Sequence, residues 1–202
     1  MTNKNDKDLF IALKKGDKTA LSELFNRYYD FLLHYGLKIT PDDFIVEECI
    51  QELFVYLFEA GDRLGAVENI KAYLFTAIRR RILKKIKREH RQTVNRRPSS
   101  GAPDIQFSSE EIWIRQEGEQ HTQQLLYQAL NELSARQREA IYLRYFNGLN
   151  TRDIAAVMGV SNQTVLNTLY QALQKMSDKE YLKSLINLSY PLLLIPIQYF
   201  SI

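Results

Sequence analysis

Apolar residues recur every three or four positions along almost the whole chain, and this spacing constrains the fold more than any other feature. One example is the series Leu21, Leu24, Tyr28 and Leu32, which a single face of an α-helix brings together. The alternation typical of β-strands is scarce. The 202 residues include only eight glycines and five prolines, so few positions interrupt a helix. We therefore expect an all-α protein.

Two changes in composition divide this helical pattern. Residues 92–120 combine proline, glycine and serine without periodicity, which is typical of a flexible linker. Residues 177–202 are a largely apolar C-terminal extension. We expect two small helical domains, at 6–91 and 121–176, joined by the linker. In the first domain, helices should begin near residues 6, 19, 41 and 69, with Thr40 as the N-cap of the third.

Positive charge is concentrated in one segment. Residues 79–97 contain ten lysines and arginines against the single acid Glu89, whereas the whole chain has a net charge of only +3. A basic segment on an otherwise acidic chain indicates a polyanionic partner, because basic groups bind phosphates without reading sequence. A solvated helix face with a basic tail is the alternative. Tyr73 precedes the segment and is suited either to stacking on an unpaired base or to core packing.

Residues 151–169 have the pattern of a helix-turn-helix. Ala155 is small where two helices must cross, and Gly159 suits a turn that requires a positive φ. The second helix would begin after Ser161, and side chains near its start would reach base edges in a major groove. An ordinary helical hairpin is the alternative. The candidate DNA-binding residues are Arg152, Ser161, Asn162, Gln163, Thr164 and Asn167.

The third expected helix is apolar around most of its circumference. Its polar residues form one narrow stripe, which consists of Glu47, Glu48, Gln51, Glu52 and Glu59. A helix this apolar is either central in its domain or bound to a partner. An acidic stripe beside aromatic residues suits a basic helical partner. A core helix with one solvated face explains the same residues equally well.

Several classes of function are disfavoured. The single Cys49 excludes a disulfide framework, and three widely spaced histidines argue against a metal site. No cluster of acids and histidines supports an enzyme, so we expect no catalytic activity, metal, cofactor or small-molecule substrate. The polar N-terminus lacks a signal peptide, which favours the cytoplasm. Prolines interrupt the uncharged segment 185–202, so we expect no stable membrane insertion.

The order of these features resembles an extracytoplasmic-function (ECF) sigma factor, a small two-domain specificity subunit of bacterial RNA polymerase. Residues 48–54, Glu-Cys-Ile-Gln-Glu-Leu-Phe, resemble the polymerase-docking helix of that family. Residues 72–79, Ala-Tyr-Leu-Phe-Thr-Ala-Ile-Arg, resemble its −10 helix. Residues 136–149 and the helix-turn-helix resemble its domain four. The resemblance covers residues 6–176, and similar sequences from Bacteroidetes favour that lineage.

The resemblance implies roles for residues in both domains. The first domain would bind core RNA polymerase through Glu48, Gln51, Glu52 and Phe54. It would melt and bind the −10 element of promoter DNA through Tyr73, Arg79, Arg80, Lys84, Lys87 and Arg88. The helix after Ser161 would read the −35 element, and an anti-sigma factor is a further possible partner. The family usually has Trp at the position of Tyr73 and a basic residue at Leu166 or Thr168, so the promoter sequence stays open.

A helix-turn-helix transcription regulator that acts without being a polymerase subunit would share the second domain. Such a regulator needs a ligand-binding or dimerisation domain, and the first half of the chain has neither a glycine-rich nor a heptad pattern. A protein–protein adaptor would not need the basic segment. Binding to core polymerase distinguishes the sigma factor from the regulator, which should bind its operator tightly alone.

Overall fold

The structure is a computed structural model that describes residues 5–92, 103, 105–107 and 120–177. Those residues contain helices and no strand, so the all-α expectation is confirmed for them. A short 3₁₀ turn at Gly61–Arg63 and a π-helical turn at Tyr142–Phe146 accompany the α-helices. The α-helices are α1 (Asp6–Lys14), α2 (Lys18–Ile39), α3 (Asp43–Ala60), α4 (Ile70–Gln92), α5 (Gln120–Asn131), α6 (Ala135–Ile141), α7 (Thr151–Met158) and α8 (Asn162–Ser177).

The chain divides into two compact units. The first consists of residues 1–103 with 152–161, and the second of residues 104–151 with 162–202. This division groups most of α7 with the first unit, whereas the sequence pattern places that helix in the second domain. The expected domain limits therefore stay a prediction.

Short polar residues fix where the helices of the first unit begin. Asp17 accepts hydrogen bonds from the backbone N–H groups of Thr19 and Ala20, at 2.8 and 3.2 Å, and so caps α2. The expected N-cap of α3 was wrong, because Asp42 performs that role by accepting from Ile45 N at 3.1 Å. Thr40 instead ends α2, since its N–H donates to Gly36 O at 3.1 Å.

Close approach of α2 to α3 depends on Gly36. A Cβ atom at this buried position would lie 2.3 Å from Val46 Cγ1 and 3.1 Å from Ile82 Cδ1. The missing side chain therefore lets α2 pack against both α3 and α4. Nearby, the rings of Tyr35 and Phe75 stack with centroids 5.0 Å apart, and both are fully buried. This core holds α3 and α4 side by side.

One face of α4 carries a row of apolar residues and packs into the core. Ile70, Leu74, Ile78, Ile82 and Ile86 follow one another at i+4 spacing, which predicts one buried face. The first four are buried and Ile86 is half-buried. Asn69 begins the helix, because its Oδ1 accepts from Ala72 N at 3.1 Å. The basic residues between the apolar positions must therefore occupy the other faces of α4.

The second unit contains a capped helix that continues into a π-helical turn. Ser134 and Gln137 form a reciprocal capping box at the start of α6. At the other end, Asn147 N donates to Tyr142 O at 3.2 Å, five residues back. This wider turn places the rings of Tyr142 and Phe146 in a stack, with centroids 5.4 Å apart.

Most of the expected linker and the apolar extension lie outside the described residues. Inside the linker the structure describes residues 103 and 105–107, of which Pro103, Ile105 and Phe107 are buried. Among the residues that the structure describes, none of the helices has the length and apolar character needed for a bilayer crossing. The fate of the uncharged segment 185–202 stays a prediction.

Candidate functional site

The basic residues of α4 fall on two different faces. Arg81 and Lys85, one helical turn apart, point toward α3: Arg81 Nη1 lies 3.8 Å from Glu52 Oε2, and Lys85 Nζ forms an ion pair with Glu48. Sequence alone groups both cations with the polyanion-binding segment. Because carboxylates of the same unit neutralise them, they are poorly placed to bind phosphates.

Among the α4 side chains that the structure describes, the exposed cations form one continuous stripe. Its members, at i, i+4, i+7 and i+8 spacing, are Arg80, Lys84, Lys87 and Arg88, which we call the basic stripe. Four of the six expected −10 residues are therefore brought together. Arg79 is half-buried and lies on another side of the helix, because one residue step rotates a side chain by about 100°.

Tyr73 lies on the same helix face as the basic stripe, seven residues before Arg80. Its ring is half-buried and meets Phe10 edge to face, with centroids 6.1 Å apart. Burial, together with nearby Tyr56, raises the pKa of the Tyr73 hydroxyl. The side chain therefore stays protonated at neutral pH and combines a packing role with a partly exposed aromatic surface.

Two acidic residues of α3, Glu48 and Glu52, lie on a face of the helix that also carries exposed apolar side chains. Phe44 is 71% exposed and Val55 is 55% exposed. With Glu48 and Gln51 between them, these residues stand at i, i+4, i+7 and i+11, so they share one face. We call Phe44, Glu48, Gln51, Glu52 and Val55 the docking stripe. Phe44 and Val55 were not among the residues selected from the sequence, although their spacing from Glu48 was the available signal.

Phe54 does not belong to the docking stripe. It is only 4% exposed and packs edge to face against Phe25 of α2, with ring centroids 5.1 Å apart. Of the four residues selected for polymerase binding, Gln51 and Glu52 are exposed and Glu48 is half-buried. Phe54 instead anchors α3 to the core, because its position on the helix faces α2.

Cations from α4 lie beside the exposed aromatic residues of the first unit. Lys85 Nζ lies 6.0 Å from the ring centroid of Phe44, and the Arg81 guanidinium lies 5.2 Å from that of Tyr56. Below this surface, burial raises the pKa of the Cys49 thiol to about 11. The thiol is therefore protonated at neutral pH and acts as a small apolar side chain.

In the second unit, α8 has one buried and one polar face. Val165, Leu169, Ala172 and Met176 are buried. Gln163 and Asn167 lie on the opposite side, and Asn162 and Thr164 are exposed in the first turn. Together with the exposed Ser161, which directly precedes α8, we call these residues the recognition face. All five were selected from the sequence, and the sixth candidate, Arg152 on α7, is also exposed.

Two amides of the recognition face contact one another. Gln163 Nε2 donates to Asn167 Oδ1 at 3.0 Å across one turn of α8. The pair leaves further donors and acceptors of both amides directed outward. Such amides form paired hydrogen bonds with adenine in a major groove. Just before α8, Gly159 has φ +68°, which confirms the expected turn conformation.

Known protein families match both parts of the chain. The family described as Sigma-70 region 2 matches residues 24–92, and that described as Sigma-70, region 4 matches residues 123–176. The two matches occur in the order that the sequence motifs predict. They include α3, α4 and α8, and therefore every helix that carries a stripe or a recognition face.

Two relatives extend the similarity across most of the chain. The ECF RNA polymerase sigma factor SigL of Mycobacterium tuberculosis is 27% identical over 170 residues, which cover 81% of this chain and 93% of that protein. The RNA polymerase sigma-H factor of Pseudomonas aeruginosa is 27% identical over 186 residues, covering 85% and 92%. The Bacteroidetes lineage stays a prediction.

Solved structures share the fold. CnrH in complex with the cytosolic domain of CnrY has a TM-score of 0.55 and 19% identity, and covers 89% of this chain and 99% of that chain. The sigma factor RpoE from Bartonella quintana, in complex with the anti-sigma factor NepR, has a TM-score of 0.53 and 23% identity, with coverage of 80% and 96%. The two family matches, the relatives and this fold together show that the chain belongs to the ECF group of RNA polymerase sigma factors.

Proposed function

We propose that this sigma factor uses three separate helix faces for three contacts during transcription initiation. The docking stripe of α3 binds core RNA polymerase, the basic stripe of α4 binds the −10 element, and the recognition face of α8 reads the −35 element. The observation that carries the proposal is the exposure of these faces, since each helix buries its opposite side in its own unit.

Core polymerase binding is supported by the composition of the docking stripe. Gln51 and Glu52 provide exposed polar groups, and Phe44 and Val55 provide apolar surface at either end. In an interface of this kind, apolar surface supplies affinity and the charges select a basic partner. A basic, helical surface of core polymerase is the partner that this stripe suits.

Promoter melting is supported by the arrangement of α4. Four exposed cations lie along one line, where they can bind phosphates, and the ring of Tyr73 lies on the same helix face. Phosphate contacts give affinity without sequence preference, whereas stacking on an aromatic ring favours unpaired bases. The combination favours a single-stranded −10 region over the duplex, which is the energetic requirement for melting.

Reading of the −35 element is supported by the neutral amides of α8. The helix carries one basic residue, Lys175, and its amine donates to Glu132 O at 2.6 Å. The recognition face therefore contributes hydrogen bonds to base edges and few phosphate contacts. Phosphate binding in this region falls to exposed residues elsewhere, of which Arg152 is the candidate selected from the sequence.

The remaining expectations form part of the same proposal. The chain acts in the cytoplasm, has no catalytic activity of its own and needs no cofactor or small-molecule substrate. An anti-sigma factor is a further partner, because two proteins of the same fold were solved in complexes whose partners are named as CnrY and the anti-sigma factor NepR. Such a partner would compete for the docking stripe or the recognition face.

Reconstitution with purified components tests the function. The full-length chain should co-purify with core RNA polymerase and start transcription from members of a genomic promoter library, while binding promoter duplex weakly alone. Tight binding to a duplex operator without polymerase, together with no co-purification, would instead identify the helix-turn-helix regulator.

A further inference from the structure

Part of the segment expected to be linker is docked on the second unit. Ile105 is fully buried and Phe107 is 3% exposed, although both belong to the region that composition alone marks as flexible. Apolar side chains this deeply buried favour a docked segment, because undocking would return their surface to water. We call Ile105–Phe107 the linker anchor.

The π-helical turn builds the surface that receives Phe107. The Phe107 ring lies 5.1 Å from Phe146 and 6.2 Å from Tyr142, measured between centroids. Tyr142 and Phe146 also stack on one another, with an interplanar angle of 19°. The three rings therefore form one aromatic cluster, to which the linker contributes Phe107.

Hydrogen bonds fix the backbone of the anchor as well as its side chain. Phe107 N donates to Asn131 Oδ1 at 3.1 Å, and Asn131 Nδ2 donates to Phe107 O at 3.3 Å. A single amide at the end of α5 thus satisfies both polar groups of residue 107. This reciprocal pair gives the segment a defined register on the second unit.

Docking shortens the chain available between the units. From Gln92, the end of α4, to Ile105 there are thirteen residue steps, and to Gln120, the start of α5, there are twenty-eight. At about 3.3–3.6 Å per residue, the chain spans at most about 43–47 Å in the first case and about 92–101 Å in the second, whatever its conformation. The anchor therefore halves the greatest possible reach.

We propose that the linker anchor, held by Phe107 and Asn131, sets the longest spacer between the −35 and −10 elements that this sigma factor accepts. This inference rests on the proposed function, in which α4 and α8 bind those two elements. Each additional base pair moves the elements about 3.4 Å farther apart along the DNA axis. A linker shortened by the anchor therefore allows α4 and α8 to bind both elements only up to a certain spacer length. A linker without the anchor would allow longer spacers.

Transcription from a series of promoters tests this role. One promoter selected with the wild-type protein is given spacers that differ by single base pairs. With Phe107→Ala or Asn131→Ala, transcription from spacers two base pairs beyond the optimum should rise at least tenfold relative to the optimum. Gln128→Ala changes an exposed residue of α5, one turn before Asn131, and should keep the wild-type profile. Insertion of six Gly and Ser residues between 98 and 99 should broaden the profile with the anchor intact.

A measurement on the free protein separates this inference from the proposed function. Spin labels at Glu59→Cys and Gln171→Cys, in a Cys49→Ser background, report the distances between the units by pulsed electron paramagnetic resonance. Phe107→Ala and Asn131→Ala should add distances longer than any in the parent, and the control Gln128→Ala should not. Circular dichroism establishes which variants remain folded.

The two measurements give distinct outcomes. Unchanged distance distributions in folded Phe107→Ala and Asn131→Ala proteins would overturn the anchor. Longer distances with an unchanged spacer profile would overturn its role in promoter selection. If the wild-type protein starts transcription from no promoter, the proposed function fails, and the distance measurement still decides whether the anchor limits reach.

Discussion

Lys85 of α4 forms an ion pair with Glu48 of α3, and the same ammonium lies near the exposed ring of Phe44. Burial acts to lower the pKa of Lys85, but the hydrogen bond and charge of Glu48 outweigh it and raise that pKa above its usual value. The contact joins the most basic helix to the most acidic one. The charges of Lys85 and Glu48 therefore largely neutralise one another. The charges available to partners are those of α3 and α4 residues outside this ion pair.

Changes to the docking stripe should weaken binding to core polymerase without unfolding the protein. Gln51→Ala combined with Glu52→Ala should weaken binding to core polymerase at least tenfold, since both side chains are exposed. Glu59→Ala, on the same helix and also exposed, is the matched control. Binding is measured by titrating labelled protein with core polymerase, and circular dichroism monitors folding. Equal affinity of the double variant and the control would remove the docking assignment.

The basic stripe should act on promoter opening. Replacing Arg80, Lys84 and Lys87 with Gln should abolish permanganate reactivity in the −10 region. It should also flatten the salt dependence of DNA binding by about 0.7–0.9 in log–log slope for each phosphate that the variant no longer binds. Arg81→Gln with Lys85→Gln removes cations that face α3 and should alter the slope much less. A melted −10 region in the triple variant would assign melting to another element.

The recognition face should determine base preference at the −35 element. Gln163→Ala should flatten the preference at one or two positions, because a bidentate amide–adenine contact is worth about 1–3 kcal/mol. Gln174→Ala changes an exposed glutamine nearer the end of α8 and should leave the preference intact. The measurement is a sequence logo from a randomised −35 library. An identical logo for Gln163→Ala and wild type would place the reading elsewhere.

Alkaline pH should destabilise the first unit through Cys49. Burial raises the pKa of the thiol from 9.0 to about 11, so the folded state holds its proton where the unfolded state loses it. The thiol therefore does not lower the free energy of unfolding below about pH 9, but lowers it progressively as the pH rises from 9 toward 11. Urea unfolding across this range should show a smaller loss for Cys49→Ala than for wild type. Identical pH profiles would show that other groups account for the loss, such as the Tyr28 hydroxyl, whose pKa burial also raises.

The helix pattern was largely readable from the sequence because it depends on local spacing. Ile70, Leu74, Ile78 and Ile82 are buried as their i+4 spacing predicts, and all five residues of the recognition face are exposed. The turn at Gly159 also followed from a local requirement for positive φ. The predicted N-cap of α3 was wrong because Thr40 and Asp42 are both good capping residues. Thr40 is used to end α2, which leaves Asp42 to cap α3.

Tertiary packing decided how the charges and the linker are used. Sequence alone places ten cations in one segment, but the position of α3 beside α4 determines that Arg81 and Lys85 meet carboxylates while Arg80 and Lys84 face solvent. Phe107 lies in a segment whose composition predicts flexibility, and its burial depends on a π-helical turn that begins 35 residues later in the chain. Spacing along one helix fixes which residues share a face, but the partner of that face is set by residues distant in the sequence.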